Sequence, residues 1–167
     1  MPRDGSWGIR AGGLAVAASV LLATGCAGTS QLLGHGTRTP QPKTQAGRAY
    51  LQELSAEQAK LAQAEKAIPK RARTPGALSR SIALLAGAIG ALADGLSAIH
   101  PPEPVAGLHA RLVRVVRGYF RRLRAAATNV RTRAGELRAA NALATATESA
   151  TSAFTVTFSE ITARLAR

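Results

Sequence analysis

Side chains able to do covalent, acid–base or metal chemistry are few in this chain: one cysteine, three histidines, and nine acidic residues against 22 basic ones. Cys26 is the only thiol, and a disulfide framework needs pairs. His35 lies among glycines and reads as solvated. His100 and His109 flank the corner His100-Pro101-Pro102-Glu103-Pro104. A transition-metal site would need more ligands at ligand spacing, and Glu103 is the nearest candidate. The Glu-x-x-His pairs with further glutamates that build di-iron centres in helical bundles are absent. His109 reads as a packing residue or a cap on the proline corner, and no metal or other cofactor is expected.

Enzymatic constellations are equally thin. Beyond residue 25 the one aspartate is Asp94, beside Gly95 on an apolar segment, where it reads as a buried hydrogen-bonding group. Glu53 and Glu57 share a helix face and read as solvated. No serine stands in Gly-x-Ser-x-Gly, and no Gly-x-x-x-x-Gly-Lys is present to cradle phosphate. No catalytic residue is assigned, and a protein that is not an enzyme is expected.

Positive charge is what the chain has in excess, a net +13. Arg114, Arg117, Arg121, Arg124, Arg131 and Arg138 fall within about a third of the circumference of one predicted helix, opposite its Leu/Val stripe. Arg111, Arg122 and Arg133 flank the other side of that stripe. Guanidinium groups bind phosphates and carboxylates through paired hydrogen bonds, so this face is a candidate anion-binding surface. The alternative is the plain solvated face of an amphipathic helix. Nucleic acid is not expected, because no stacking aromatics are interleaved with the arginines.

The leader bears on where such a face would work. Met1–Arg10 carries Arg3 and Arg10, and Ala11–Ala23 is uncharged, about the 7–15 residues of a signal hydrophobic region. The run ends Leu21-Leu22-Ala23-Thr24-Gly25-Cys26. It resembles the signal of bacterial lipoproteins, in which the cysteine is acylated and the residues before it are removed. Thr24 and Gly25 fit that pattern, while Ala23 stands where Leu or Val is more usual. The resemblance implies a signal peptide over 1–25, lipidation of Cys26 by palmitate-type chains, and anchorage to the outer face of the bacterial cell membrane. An ordinary cleaved export signal, an uncleaved anchor and a cytoplasmic chain are the alternatives. Loss of Arg3, Asp4 and Arg10 would leave a net charge of about +12.

Residues 26–46 are rich in Gly, Thr, Gln and Pro without apolar periodicity and read as a flexible tether. The remainder, 47–167, reads as one domain. A first helix is predicted from about Gln45 to Ile68, with Leu51, Leu54, Leu61 and Ile68 on one stripe and Pro69 as its stop. Thr74 as N-cap and Pro75 at the first position open a second. Its seam Leu78, Ile82, Leu85, Ile89, Leu92, Leu96 and Ile99 is spaced alternately four and three. No charge interrupts Ser81–Ala93, so this helix is expected to be central and buried on all sides, with neighbours approaching closely at Gly87, Gly90 and Gly95. Thirteen uncharged residues are too few to span a bilayer.

Pro104 is placed to start a third helix, with Val105, Leu108, Leu112, Val116, Tyr119, Leu123, Val130 and Leu137 on its stripe. It is expected to be long, reaching about Ala140, with possible breaks at Thr128-Asn129 or Gly135. Leu143, Thr147, Ala150, Phe154, Phe158, Ile161 and Leu165 repeat at helical spacing in a last segment. Thr155-Val156-Thr157 has strand character, but the 3.6-residue period decides for helix.

The pattern Ile99-His100-Pro101-Pro102-Glu103, followed by Leu108-His109 and Leu112-Val113, resembles small exported helical proteins and lipoproteins of high-GC Gram-positive bacteria. That resemblance implies a bundle and an envelope location, and brings no catalytic residues. The expectation is an all-α, antiparallel three- to four-helix bundle, lipid-anchored through Cys26, with a non-enzymatic binding or structural role. Its partners would be the membrane and an anionic lipid or cell-wall polymer. Rival expectations are a module docking an envelope sensor or transporter through an apolar seam that includes Phe154 and Phe158, and an envelope enzyme or metal protein built on His100 and His109.

Overall fold

A computed structural model describes residues 42–69, 72, 74–130 and 133–167, with the side chains of 133, 134 and 136 left out. The leader, Cys26, most of the tether and Arg131 lie outside the described residues. The domain is an all-α bundle of four helices: α1 Gln45–Lys66, α2 Pro75–Ala98, α3 Ala106–Asn129 and α4 Arg133–Leu165, with a 3-10 turn over Glu103–Val105. Among the described residues there is no strand, and Thr155-Val156-Thr157 lies inside α4.

Local chemistry sets the helix ends. The Thr44 and Thr74 hydroxyls accept from the backbone N–H of Gly47 (3.0 Å) and Ala77 (3.1 Å), each satisfying a donor the helix itself leaves open. Pro75 occupies the first turn of α2, where its missing N–H is no loss. Pro104 starts the 3-10 turn's descent into α3 rather than α3 itself. At the far end of α3, Val130 leaves helical geometry at φ −84°, ψ 53°.

The expected long third helix is therefore divided, at the first of its two anticipated breaks. α3 has 24 residues, and the longest helix is α4 with 33. Leu137 belongs to α4 instead of the α3 stripe and is 58% exposed. At about 1.5 Å per residue α4 spans roughly 50 Å, against roughly 36 Å for α2 and α3. The added length covers the proline corner, where Val105 and Ile161 are completely buried.

Cross-helix bonds fix the up-down-up-down order. Ser79 Oγ donates to the Ala127 carbonyl at 2.7 Å, and Arg117 donates to Ser97 Oγ at 3.0 Å, so α2 and α3 run antiparallel. Tyr119 with Thr147 (2.9 Å) and Arg111 with Glu160 (3.1 Å) pair α3 with α4 in the same sense. The Lys43 N–H donates to the Leu165 carbonyl at 3.2 Å, holding the start of α1 to the end of α4.

Six residues of the α2 seam, Leu78 through Leu96, are buried, and Ile99 is half-buried. They meet Tyr50, Leu54 and Leu61 of α1, Leu112, Val116 and Leu123 of α3, and Leu143, Phe154 and Ile161 of α4. The expectation that α2 is buried on all sides does not hold. It sits at a corner of the bundle between α1 and α3, and Ala83, Leu84, Gly87, Ala91 and Asp94 face outward. Asp94 is thus exposed rather than a buried hydrogen-bonding group. By length and composition α2 is long and apolar enough to cross a membrane after all, with 44% of its apolar stretch buried inside the bundle. The glycines divide similarly. A Cβ at Gly90 would stand 3.1 Å from the Phe120 ring and one at Gly95 would strike the Glu57 carboxylate, but Gly87 has no neighbour within 4 Å.

Candidate functional site

α3 has the sharpest division of polar and apolar faces in the bundle. His109, Leu112, Val113, Val116, Tyr119, Leu123 and Ala126 turn inward. Arg114, Arg117, Arg121 and Arg124 are exposed on the opposite side. Six arginines and no acidic residue occur between Ala106 and Asn129. Of the remaining expected anion-binding residues, Arg138 stands on α4, where the α3–α4 break places it, and Arg131 lies outside the described residues. Among the described residues, the row on α3 comprises Arg114, Arg117, Arg121 and Arg124.

Neighbours hold part of that row in place. Arg117 reaches across to Ser97 of α2, and the Arg124 guanidinium lies over the Phe120 ring, 5.7 Å from its centroid. The ring in turn packs on Gly90, so two arginines are braced against α2. Arg114, Arg121 and Arg122 make no hydrogen bond or ion pair among the described residues. Arg111 instead pairs with Glu160. Arg122, on the α4 side, borders a shallow open groove with Asn141, Thr145 and Ser149. Groups arranged this way can bind several phosphate or carboxylate oxygens at once, and none is placed to bind a reacting atom in a closed, dry site.

The second polar cluster is buried. His109 is 6% exposed, with Nε2 at 2.9 Å from the Leu96 carbonyl and Nδ1 at 3.0 Å from the Tyr50 hydroxyl. A carbonyl can only accept, so Nε2 carries the proton and Nδ1 accepts from Tyr50. The imidazole closes the last turn of α2 and fastens α1 to α3, the packing and capping role the proline corner suggested. Burial depresses its pKa, partly opposed by the Leu96 bond, and raises that of Tyr50. With both nitrogens engaged His109 has no position for a metal, and His100 is exposed. Among the described residues no group of three or more His, Cys, Asp or Glu comes together.

Tyr50 is the functional neighbour that sequence reasoning missed. It falls four residues before Leu54 and belongs to the same stripe, so its spacing was the available signal. Glu65 was missed too: Oε1 is buried without a partner, and burial raises its pKa. The central cavity, lined by Gln58, Leu61, Ile89, Tyr119 and Phe154 among others, has about 20 Å³ of free volume, room for about one water. Phe154 is 3% exposed and Phe158 half-buried, so they do not form the exposed seam expected for a docking partner.

Compared with protein-family models, curated proteins and solved structures, the chain matches none.

Proposed function

We propose that this protein is a lipid-anchored component of the bacterial cell envelope whose bundle binds an anionic surface, either lipid headgroups or wall polymer, through α3. The observation that carries this reading is the outward row Arg114, Arg117, Arg121 and Arg124 on a helix without a single acidic residue. Its location rests on the leader that ends at Cys26. Two acyl chains hold a protein stably on a membrane, whereas one holds it only marginally. The diacylated cysteine of a lipoprotein would therefore suffice as anchor, leaving the arginines to orient the bundle or recruit a polyanion. The role is binding or structural, without catalysis.

Two measurements test the parts separately. The intact mass of membrane-extracted protein should correspond to a chain beginning at Cys26 with acyl mass, absent from Cys26→Ala. An unmodified full-length chain found in the soluble fraction would remove the envelope location. Retention of the Cys26→Ala chain on phosphate-rich polymer should fall steeply with salt and be lost when the four arginines become glutamine. Unchanged retention would reduce the row to a solvated face.

A further inference from the structure

The arginine row does not stand alone on its side of the bundle. Next to it runs the outward face of α2, with Ala83, Leu84, Gly87 and Ala91 exposed and Leu84 53% accessible. Contacts between the helices make the two faces continuous: Arg117 is tied to Ser97 of α2, and Phe120, beneath Arg124, packs on Gly90 of α2. A Cβ at Gly87 would meet nothing within 4 Å, so this part of α2 is smooth and open. Two charges lie on the exposed side of α2, Arg80 toward one end and Asp94 toward the other.

We infer that the α2–α3 face is a membrane-lying surface, on which the Ala83–Ala91 strip rests against the acyl boundary while Arg117, Arg121 and Arg124 bind lipid phosphates. The inference rests on the anion-binding reading and commits it to one occupant, an anionic bilayer. Apolar side chains beside a basic row complement a lipid interface, where hydrocarbon and phosphate lie side by side. A soluble polyanion would match the arginines and leave the α2 strip in water. Asp94 opposes contact at the far end of the strip, so the Leu84 end lies deeper. Val156, likewise 53% exposed, stands on α4 and belongs to neither helix of this face.

Leu84 and Val156 serve as paired probes of orientation. In the full chain with Trp7→Phe, so that the leader contributes no signal, Leu84→Trp and Val156→Trp each give one tryptophan at an exposed position. On vesicles containing phosphatidylglycerol, the Leu84→Trp emission should shift to the blue and be quenched by brominated acyl chains, while Val156→Trp emission stays unchanged. On pure phosphatidylcholine vesicles neither should shift, even where the leader attaches the chain. Arg117, Arg121 and Arg124 to Gln should weaken the anionic response roughly a hundred-fold, at about five-fold per arginine. Anionic vesicles that bind salt-sensitively without moving the Leu84→Trp signal would overturn this orientation and leave the arginine reading standing. No salt-sensitive binding would overturn both.

Discussion

A histidine at position 109 supplies what an apolar residue of similar size could not, a donor for the Leu96 carbonyl and an acceptor for the Tyr50 hydroxyl. His109→Phe leaves both partners buried and unpaired, and should lower unfolding stability by about 1–3 kcal/mol in urea titration. The same site gives the bundle a pH dependence. Burial holds the folded imidazole below its ordinary value of 6.5, so the unfolded chain takes up the proton first. Stability is full above about pH 6.5 and declines as pH falls toward the folded value; His109→Phe should flatten that slope. Glu65 acts in the opposite sense, since its folded pKa is raised above 4.5. Its ionisation weakens the fold as pH rises, and Glu65→Gln should stabilise the bundle at pH 8 in urea titration, with the gain gone near pH 4. Neither the Tyr50–His109 bond nor the burial of the Glu65 carboxyl was legible in the sequence. A bond between residues 50 and 109 depends on the register of two helices, which only packing across the core sets.

Within elements the sequence is more transparent. The alternating seam of α2 names its buried residues from Leu78 to Leu96, because a helix returns to one face every three or four positions. Thr74-Pro75 names its first turn. The outer face of α2 was misread, since Ala and Gly carry no sign of whether a neighbour covers them; exposure there follows from the corner position of α2, a property of the assembly. Gly87 and Gly90 make that difference measurable. Gly87→Ala fills open space at an exposed helix interior and should add about 0.5–1 kcal/mol of stability. Gly90→Ala pushes a methyl group to 3.1 Å from the Phe120 ring and should show none of that gain in parallel denaturation curves. The division between α3 and α4 was legible as a pair of possible breaks at Thr128-Asn129 and Gly135, and Val130 settles it at the first.

At the scale of the whole molecule, charge dominates. A net +13 over 167 residues repels itself, and the salt bridges Glu57–Lys60 and Glu160–Arg111 offset only part of it. Moderate salt should therefore raise the thermal midpoint while weakening anionic binding, two opposite responses that calorimetry and vesicle sedimentation can follow in one buffer series. The basic face was visible in the sequence as a period, and its division follows from the break between α3 and α4. Arg138 shared the phase of the α3 arginines only while α3 was read as unbroken, and Arg117 and Arg124 acquire their bracing from a second helix.

The clasp between Lys43 and Leu165 brings the entry of α1 to the same end as the finish of α4. A pull arriving along the chain at Pro42 therefore loads that clasp first, then the Thr44 cap, then α1 one turn after another. α1 is packed less extensively on α2 than α2 on α3 or α3 on α4, so it yields while the other three helices remain together. Under tension the bundle behaves as a zipper with a fuse at its Pro42 end, and the surface built by α2 and α3 is the last part of the protein to feel the load.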